Sequence, residues 1–288
     1  MSLSRTMLFA SLCLTLCLAP AFADDKEKDK DASIAGLHKS GALFDAKQYK
    51  AVRTAFSKDF RQRRAAAIEK AYGADHAELV AWLDKHPDLR DELYTAMDEK
   101  HDDVGAALAL FARLWKDFRK QVEEYPGLAI ATAVVWDRPA SVYDYRHHQV
   151  RTKSNLPAGL VDGHGNFEYL VNAGQNVTSQ LKLLPREFLA FVVDNRTPID
   201  ERKWAQQFVA TQKGTSSWHQ SVPYDKGMLE TERNGGQGPG PKLAGQDYTL
   251  ANIKKYGGVC AQQADFVARV GKSLGQPTVD VAGESSYR

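Results

Sequence analysis

The sequence predicts a mostly α-helical chain, and three observations carry that expectation. Apolar residues recur three and four apart over most of the length, as at Leu108, Phe111, Trp115, Phe118 and Val122. Residues that start and stop helices bracket these stripes. Strand-like alternation shows only at Thr278-Val279-Asp280-Val281.

Residues 1–23 read as a signal peptide. Arg5 supplies the positive start, Met7 to Leu18 is apolar apart from Ser11 and Thr15, and Ala21-Phe22-Ala23 is a small-x-small cleavage site. The apolar run is shorter than the roughly 20 residues a spanning helix needs, and no later segment reaches that length. The chain is therefore expected to be exported, periplasmic or extracellular, with no membrane span after cleavage. Residues 24–32, DDKEKDKDA, read as a solvated charged tether.

Cleavage removes Arg5 from the 38 basic residues that stand against 36 acidic ones, and so takes one from a net charge of +2. So balanced a chain gives no reason to expect nucleic acid as a partner. Cleavage also removes Cys13 and Cys17, leaving Cys260. A lone thiol in an oxidising compartment invites intermolecular bridges. It is either buried and inert or kept for its chemistry.

The N-terminal region, 33–124, reads as helical. A first helix is expected over 45–71, with Tyr49, Val52, Phe56 and Phe60 on one stripe and Gly73 as its stop. Arg61, Arg63 and Arg64 read as part of its solvated face. Asp75 with Glu78 reads as a capping box for a helix burying Leu79, Trp82 and Leu83. Pro87-Asp88 opens another, with Leu89, Leu93 and Met97 inward. After Tyr125-Pro126, residues 128–136 (LAIATAVVW) are apolar all round, which predicts full burial. Residues 140–165 read as loop, followed by a helix near Phe167 to Asn172. Pro185 starts a helix carrying Phe188, Leu189, Phe191 and Val192. Thr197-Pro198 reads as a cap with a first-turn proline, and 234–241 (NGGQGPGP) as flexible loop.

The chemistry-bearing segment is Tyr256-Gly257-Gly258-Val259-Cys260. Beyond it, Cys260, Ala264, Val267, Gly271 and Leu274 fall on one helical stripe, widened by Phe266 and Val270, with Gly275 and Pro277 as the stop. A cysteine in the first turn sits at the positive end of the helix dipole, which favours the thiolate. Gly257 and Gly258 would let a substrate backbone approach. The Cys260 N–H could serve an oxyanion. An apolar stripe equally suits a cysteine on the core face of a packed helix.

Gly258-Val259-Cys260-Ala261-Gln262-Gln263-Ala264 resembles the Gly-x-Cys-x-x-x-Ala motif of the transglutaminase-like superfamily. Leu274-Gly275-Gln276-Pro277 and the residues to Gly283 resemble that family's run into its first core strand. Residues 125–139 and 184–208 resemble the helical lead-in of bacterial secreted members. The resemblance covers 125–288. It implies an α+β, papain-like core in which a cysteine attacks an amide carbonyl, a histidine on the next strand activates it, and an aspartate orients the histidine. The products would be those of acyl transfer or hydrolysis on protein or peptide amides, with no cofactor.

The family order places the histidine after the cysteine, whereas all eight histidines here precede Cys260. The resemblance thus implies a core truncated after the cysteine helix, mostly helical and inactive as it stands. An upstream substitute is His219, in Ser217-Trp218-His219-Gln220. Trp218 resembles a tryptophan that such enzymes set beside the oxyanion, and Gly258 would border the same pocket. The competing class is a non-catalytic exported helical scaffold or binding module with Cys260 buried in its core. His147-His148 with Asp162 and His164 read as surface-loop histidines rather than a metal site, since adjacent histidines do not share a face. Asn176 and Asn195 match the glycosylation sequon.

Overall fold

The computed structural model describes residues 33–140, 142, 145–212 and 218–279. The expected signal peptide and tether lie outside these residues, as do Asp280 and Val281 of the expected strand. Residues up to Ala55 and residues from Phe56 onward form two compact units. Among the described residues the elements are helices and no β-strand occurs. No helix among them is long and apolar enough to cross a membrane.

The first unit holds α1 (Ile34–Lys39), capped by Ser33, and two short 3-10 turns. Where one helix is expected over 45–71, the chain forms α2 (Tyr49–Arg63) and α3 (Ala65–Tyr72). The break falls at Arg64. Arg63 and Arg64 both grip the Glu99 carboxylate, at 2.7 Å each. At Arg64 the backbone leaves the helical region, at φ −108 and ψ 16, and the two arginines meet at one carboxylate. Of the expected stripe only Phe60 is buried, while Tyr49 and Phe56 are exposed.

The second unit continues with α4 (His76–Lys85), α5 (Pro87–Thr95), α6 (Val104–Asp117), α7 (Arg119–Glu124) and α8 (Pro126–Val135). The Asp75 capping box does not form. A 3-10 turn precedes α4, and Asp75 pairs with Lys116 at 2.8 Å instead. Phe118 separates α6 from α7. Pro126, which has no N–H to donate, separates α7 from α8. As the all-apolar sequence requires, α8 is buried, and its one hydroxyl, on Thr132, donates to the Leu128 carbonyl at 2.8 Å. Packed around α8 are α6, α10 (Gly163–Asn172) and α12 (Arg186–Val193). Their core includes Leu108, Phe111, Trp115, Leu128, Phe167 and Leu189. This core runs from Phe60 to Val193, so the division expected at 124/125 passes through it.

Helices α9 (Arg146–Thr152) and α11 (Gln175–Leu181) stand where the sequence shows no helical pattern. A second core gathers Tyr145, Phe208, Trp218, Tyr248, Ile253, Phe266 and Val270. They come from α13 (Ile199–Ala210), α15 (Leu250–Tyr256), α16 (Cys260–Ser273) and the segments between. Helix α14 (Lys226–Arg233) is capped by the buried Asp225, which accepts from Met228 N–H.

Candidate functional site

Gly257 closes α15 at φ 86, a left-handed conformation, and its N–H donates to the Ile253 carbonyl at 2.9 Å. A Cβ there would lie 2.2 Å from the Pro223 carbonyl oxygen. Gly258 then bonds the 223–225 segment in both directions: its N–H donates to Pro223 at 3.1 Å, and its carbonyl accepts from Asp225 at 2.9 Å. A Cβ on Gly258 would meet Gln262 Cβ at 2.4 Å. The room left by both glycines is therefore filled by the protein itself. This corrects the expectation that Gly258 opens a path for substrate.

Helix α16 begins at Cys260. Gln262 folds back so that its Oε1 accepts from Val259 N–H at 3.1 Å, and Gln263 Nε2 donates to the Val222 carbonyl at 2.9 Å. At the far end the Gln276 N–H donates to Gly271 and the Gly275 N–H to Lys272, closing the helix in a Schellman turn. The chain then doubles back along the helix, held by Thr278 Oγ1, which donates to the Ala268 carbonyl at 2.8 Å. Thr278 and Val279 thus make no strand pairing among the described residues.

The face of α16 that points inward mixes polar residues with the apolar Phe266 and Val270, which join the second core. Gln262, Asp265, Phe266, Arg269, Val270 and Ser273 are buried. Cys260, Ala264 and Val267 instead line an open cleft of about 590 Å³, with Gln263, Ala268, Pro277, Thr278, Val279 and His219. Cys260 is exposed, which corrects the expectation of a core cysteine. His219 stands on a 3-10 turn, Trp218–Ser221, whose Trp218 is anchored in the second core. Trp218 does not line the cleft. Its indole Nε1 is buried without a hydrogen-bond partner among the described residues. The sequence-predicted residues therefore separate: Cys260 and His219 share the cleft, while Trp218 and Gly258 support it from behind.

Buried ions hold the polar part of the inward face of α16. Arg269 donates to Glu201 Oε2 at 2.7 Å and to Thr197 Oγ1 at 3.1 Å, and the Asp265 carboxylate lies 3.7 Å from it. Arg202 donates to the Thr197 and Asn195 carbonyls and to Asn166 Oδ1. Lys272 Nζ reaches the Asp194 carbonyl at 2.6 Å. Three cations thus converge on the 194–197 loop. Burial lowers Arg202 to about 10. Burial also works against Arg269, but Tyr145, Glu201 and Asp265 outweigh it and raise its pKa. Thr197 serves this network rather than capping α13, whose N-cap is Pro198.

Arg151 on α9 is the residue of this region that the sequence pattern leaves unmarked. It holds Glu232 of α14 through two bonds of 2.7 and 2.8 Å. That pairing, followed by the charges of Glu232, Cys260 and Tyr224, raises its pKa despite partial burial. A guanidinium thus stands within electrostatic reach of the thiol. The segment RHHQVRT has no apolar period, so nothing in the sequence marks it as packing on α16.

The other expected groups lie elsewhere. His148 is buried and stacks on Tyr248 rather than lying in a surface loop. His164 pairs with Asp117 at 2.9 Å. No group of three metal-ligating side chains occurs among the described residues. Asn195 is buried, with its Oδ1 accepting from Thr197 N–H, so this sequon is closed to modification in the folded chain. No family model, no curated protein and no solved structure matches the chain.

Proposed function

We propose that the chain is an exported protein of thiol acyl-transfer or amide-hydrolysing type, with Cys260 as nucleophile, acting on protein or peptide amides. The observation that carries the reading is the pairing of an exposed first-turn cysteine with His219 in one cleft. Cys260 opens a 14-residue helix, and the Arg151 guanidinium, paired with Glu232, stands within electrostatic reach of its thiol. In the reaction, His219 takes the thiol proton and sulfur attacks the amide carbonyl carbon. The C–N bond breaks as the imidazolium returns the proton to the departing amine. Water or a second amine then releases the thioester. The resemblance of 258–264 to the transglutaminase-like motif agrees with this chemistry. The papain-like core it implies is part of the same proposal, and its support is confined to the glycine-led cysteine helix.

Alkylation by iodoacetamide at pH 6.5 tests the reading. In the folded chain Cys260 should react at least about tenfold faster than in the urea-unfolded chain. His219→Ala should remove most of that advantage and Arg151→Ala a smaller part. A thiol no faster than its unfolded counterpart would overturn the proposal and favour a binding module.

A further inference from the structure

The cleft next to Cys260 has a chemical character that narrows what it can hold. Its walls are Ala264, Val267, Ala268, Pro277 and Val279, all apolar. Its two neutral polar residues each donate to a backbone carbonyl. The Gln263 amide donates to the Val222 carbonyl, and the Thr278 hydroxyl donates to the Ala268 carbonyl. Apart from the thiol, the one lining residue able to carry charge is His219, in the turn beside Val222. A carboxylate or ammonium group lying along the apolar part of this wall would lose water and find no partner among those side chains. An aliphatic group would lose only unfavourable hydration.

The dimensions fit the same class. Cys260, Ala264 and Ala268 follow one another by single helical turns, so the floor extends about 12 Å from the thiol. Two of its floor side chains are alanines, which leave depth for a chain lying along the helix. The opposite wall ends in Val279, which is 58% exposed and has unused apolar surface. The pinned Thr278 keeps this wall at a fixed distance from the helix.

We infer that the cleft is a subsite for the acyl half of the donor, and that it selects an uncharged aliphatic group on the carbonyl side of the scissile bond. Val267 and Ala268 are the specificity-determining residues. The inference rests on Cys260 as the reacting group.

Alkyl methanethiosulfonates test it directly, because the thiolate displaces sulfinate and forms a mixed disulfide that carries the alkyl chain into the cleft. Rates would be measured on the full chain for methyl through hexyl reagents and for the sulfonatoethyl and trimethylammonioethyl reagents. Each is divided by its rate on the urea-unfolded chain. The ratio should rise with chain length, by up to about fourfold per methylene and at least tenfold overall. Both charged reagents should fall below methyl. Val267→Asp should flatten the rise. If circular dichroism shows that this variant is unfolded, Val267→Asn serves instead. A flat series in the unsubstituted chain, or charged reagents as fast as hexyl, would overturn the inference. A rising series with no elevated iodoacetamide rate would retain the apolar subsite while removing the nucleophile reading.

Discussion

The two cores of the larger unit are built on different physics. The one around α8 is mostly apolar and holds no buried ion pair among its members, and Thr132 meets its hydrogen-bonding need within its own helix at the Leu128 carbonyl. The one behind α16 is smaller, and buried ions border it: Arg269, Arg202, Glu201, Asp265 and Lys272. In the first core, position follows from apolar pattern. In the second, Arg269 and Lys272 hold polar groups of α16 inward beside Phe266 and Val270, while Cys260, Ala264 and Val267 line the cleft. The helix that carries the site is thus held by ion pairing as well as by apolar burial.

The sharpest way to break this comparison is to remove one ion. Arg269→Ala leaves the Asp265 carboxylate buried and the Glu201 carboxylate largely so, both without their counter-ion, and a loss of about 3–5 kcal/mol is expected from urea unfolding. The triple variant Arg269→Met, Glu201→Gln and Asp265→Asn should recover most of it, because none of the charges of this cluster then remains. A single-variant loss below about 1 kcal/mol would remove the claim that ions hold α16. A truncation in the other core should cost a similar or slightly smaller amount by a different route. Leu108→Ala opens a cavity in a fully buried site, for about 2–4 kcal/mol. Its folded fraction should keep the Cys260 alkylation rate, since no polar contact to α16 changes. The Arg269 variants should change that rate, and this separates the two regions functionally.

Legibility in the sequence follows the same divide. Leu108, Phe111, Trp115 and residues 128–135 are readable because an apolar period is a direct consequence of one-sided or complete burial. The start and stop of α16 are readable too, since Gly257 and Gly275 take left-handed backbone and Pro277 cannot continue a helix. The orientation of α16 is not readable. Gln262, Asp265 and Arg269 look like a solvated face until Glu201, Thr197 and Val259 are placed against them, and those partners are up to 72 residues away. The same reason hides Arg151, whose helix has no apolar stripe, and turns Gly258 from a supposed opening into a packed contact. Cys260 and His219 are legible as residue types, and their meeting in one cleft is a tertiary fact.

The smallest expected effect concerns charge at the surface of the first region, where it should contrast with the buried ions. Bonds from Arg63 and Arg64 hold Glu99 at about 2, below its usual 4.5. A carboxylate with a lowered folded pKa stabilises the fold fully above its unfolded value and loses that contribution as pH falls toward the folded one. The window is therefore about pH 4.5 down to 2. The three side chains are between a quarter and a half exposed, so water screens the pairs, and the contribution should stay below about 1 kcal/mol. Glu99→Gln should lower the urea midpoint slightly at pH 6, and the gap from the unsubstituted chain should narrow by pH 3. It should also narrow in 0.5 M salt, because exposed pairs are screened. The stability lost in Arg269→Ala should be nearly independent of salt, since its partners are buried. If the Glu99 gap were salt-independent and as large as the Arg269 loss, the distinction between surface clamps and buried ions would fail at its weakest member.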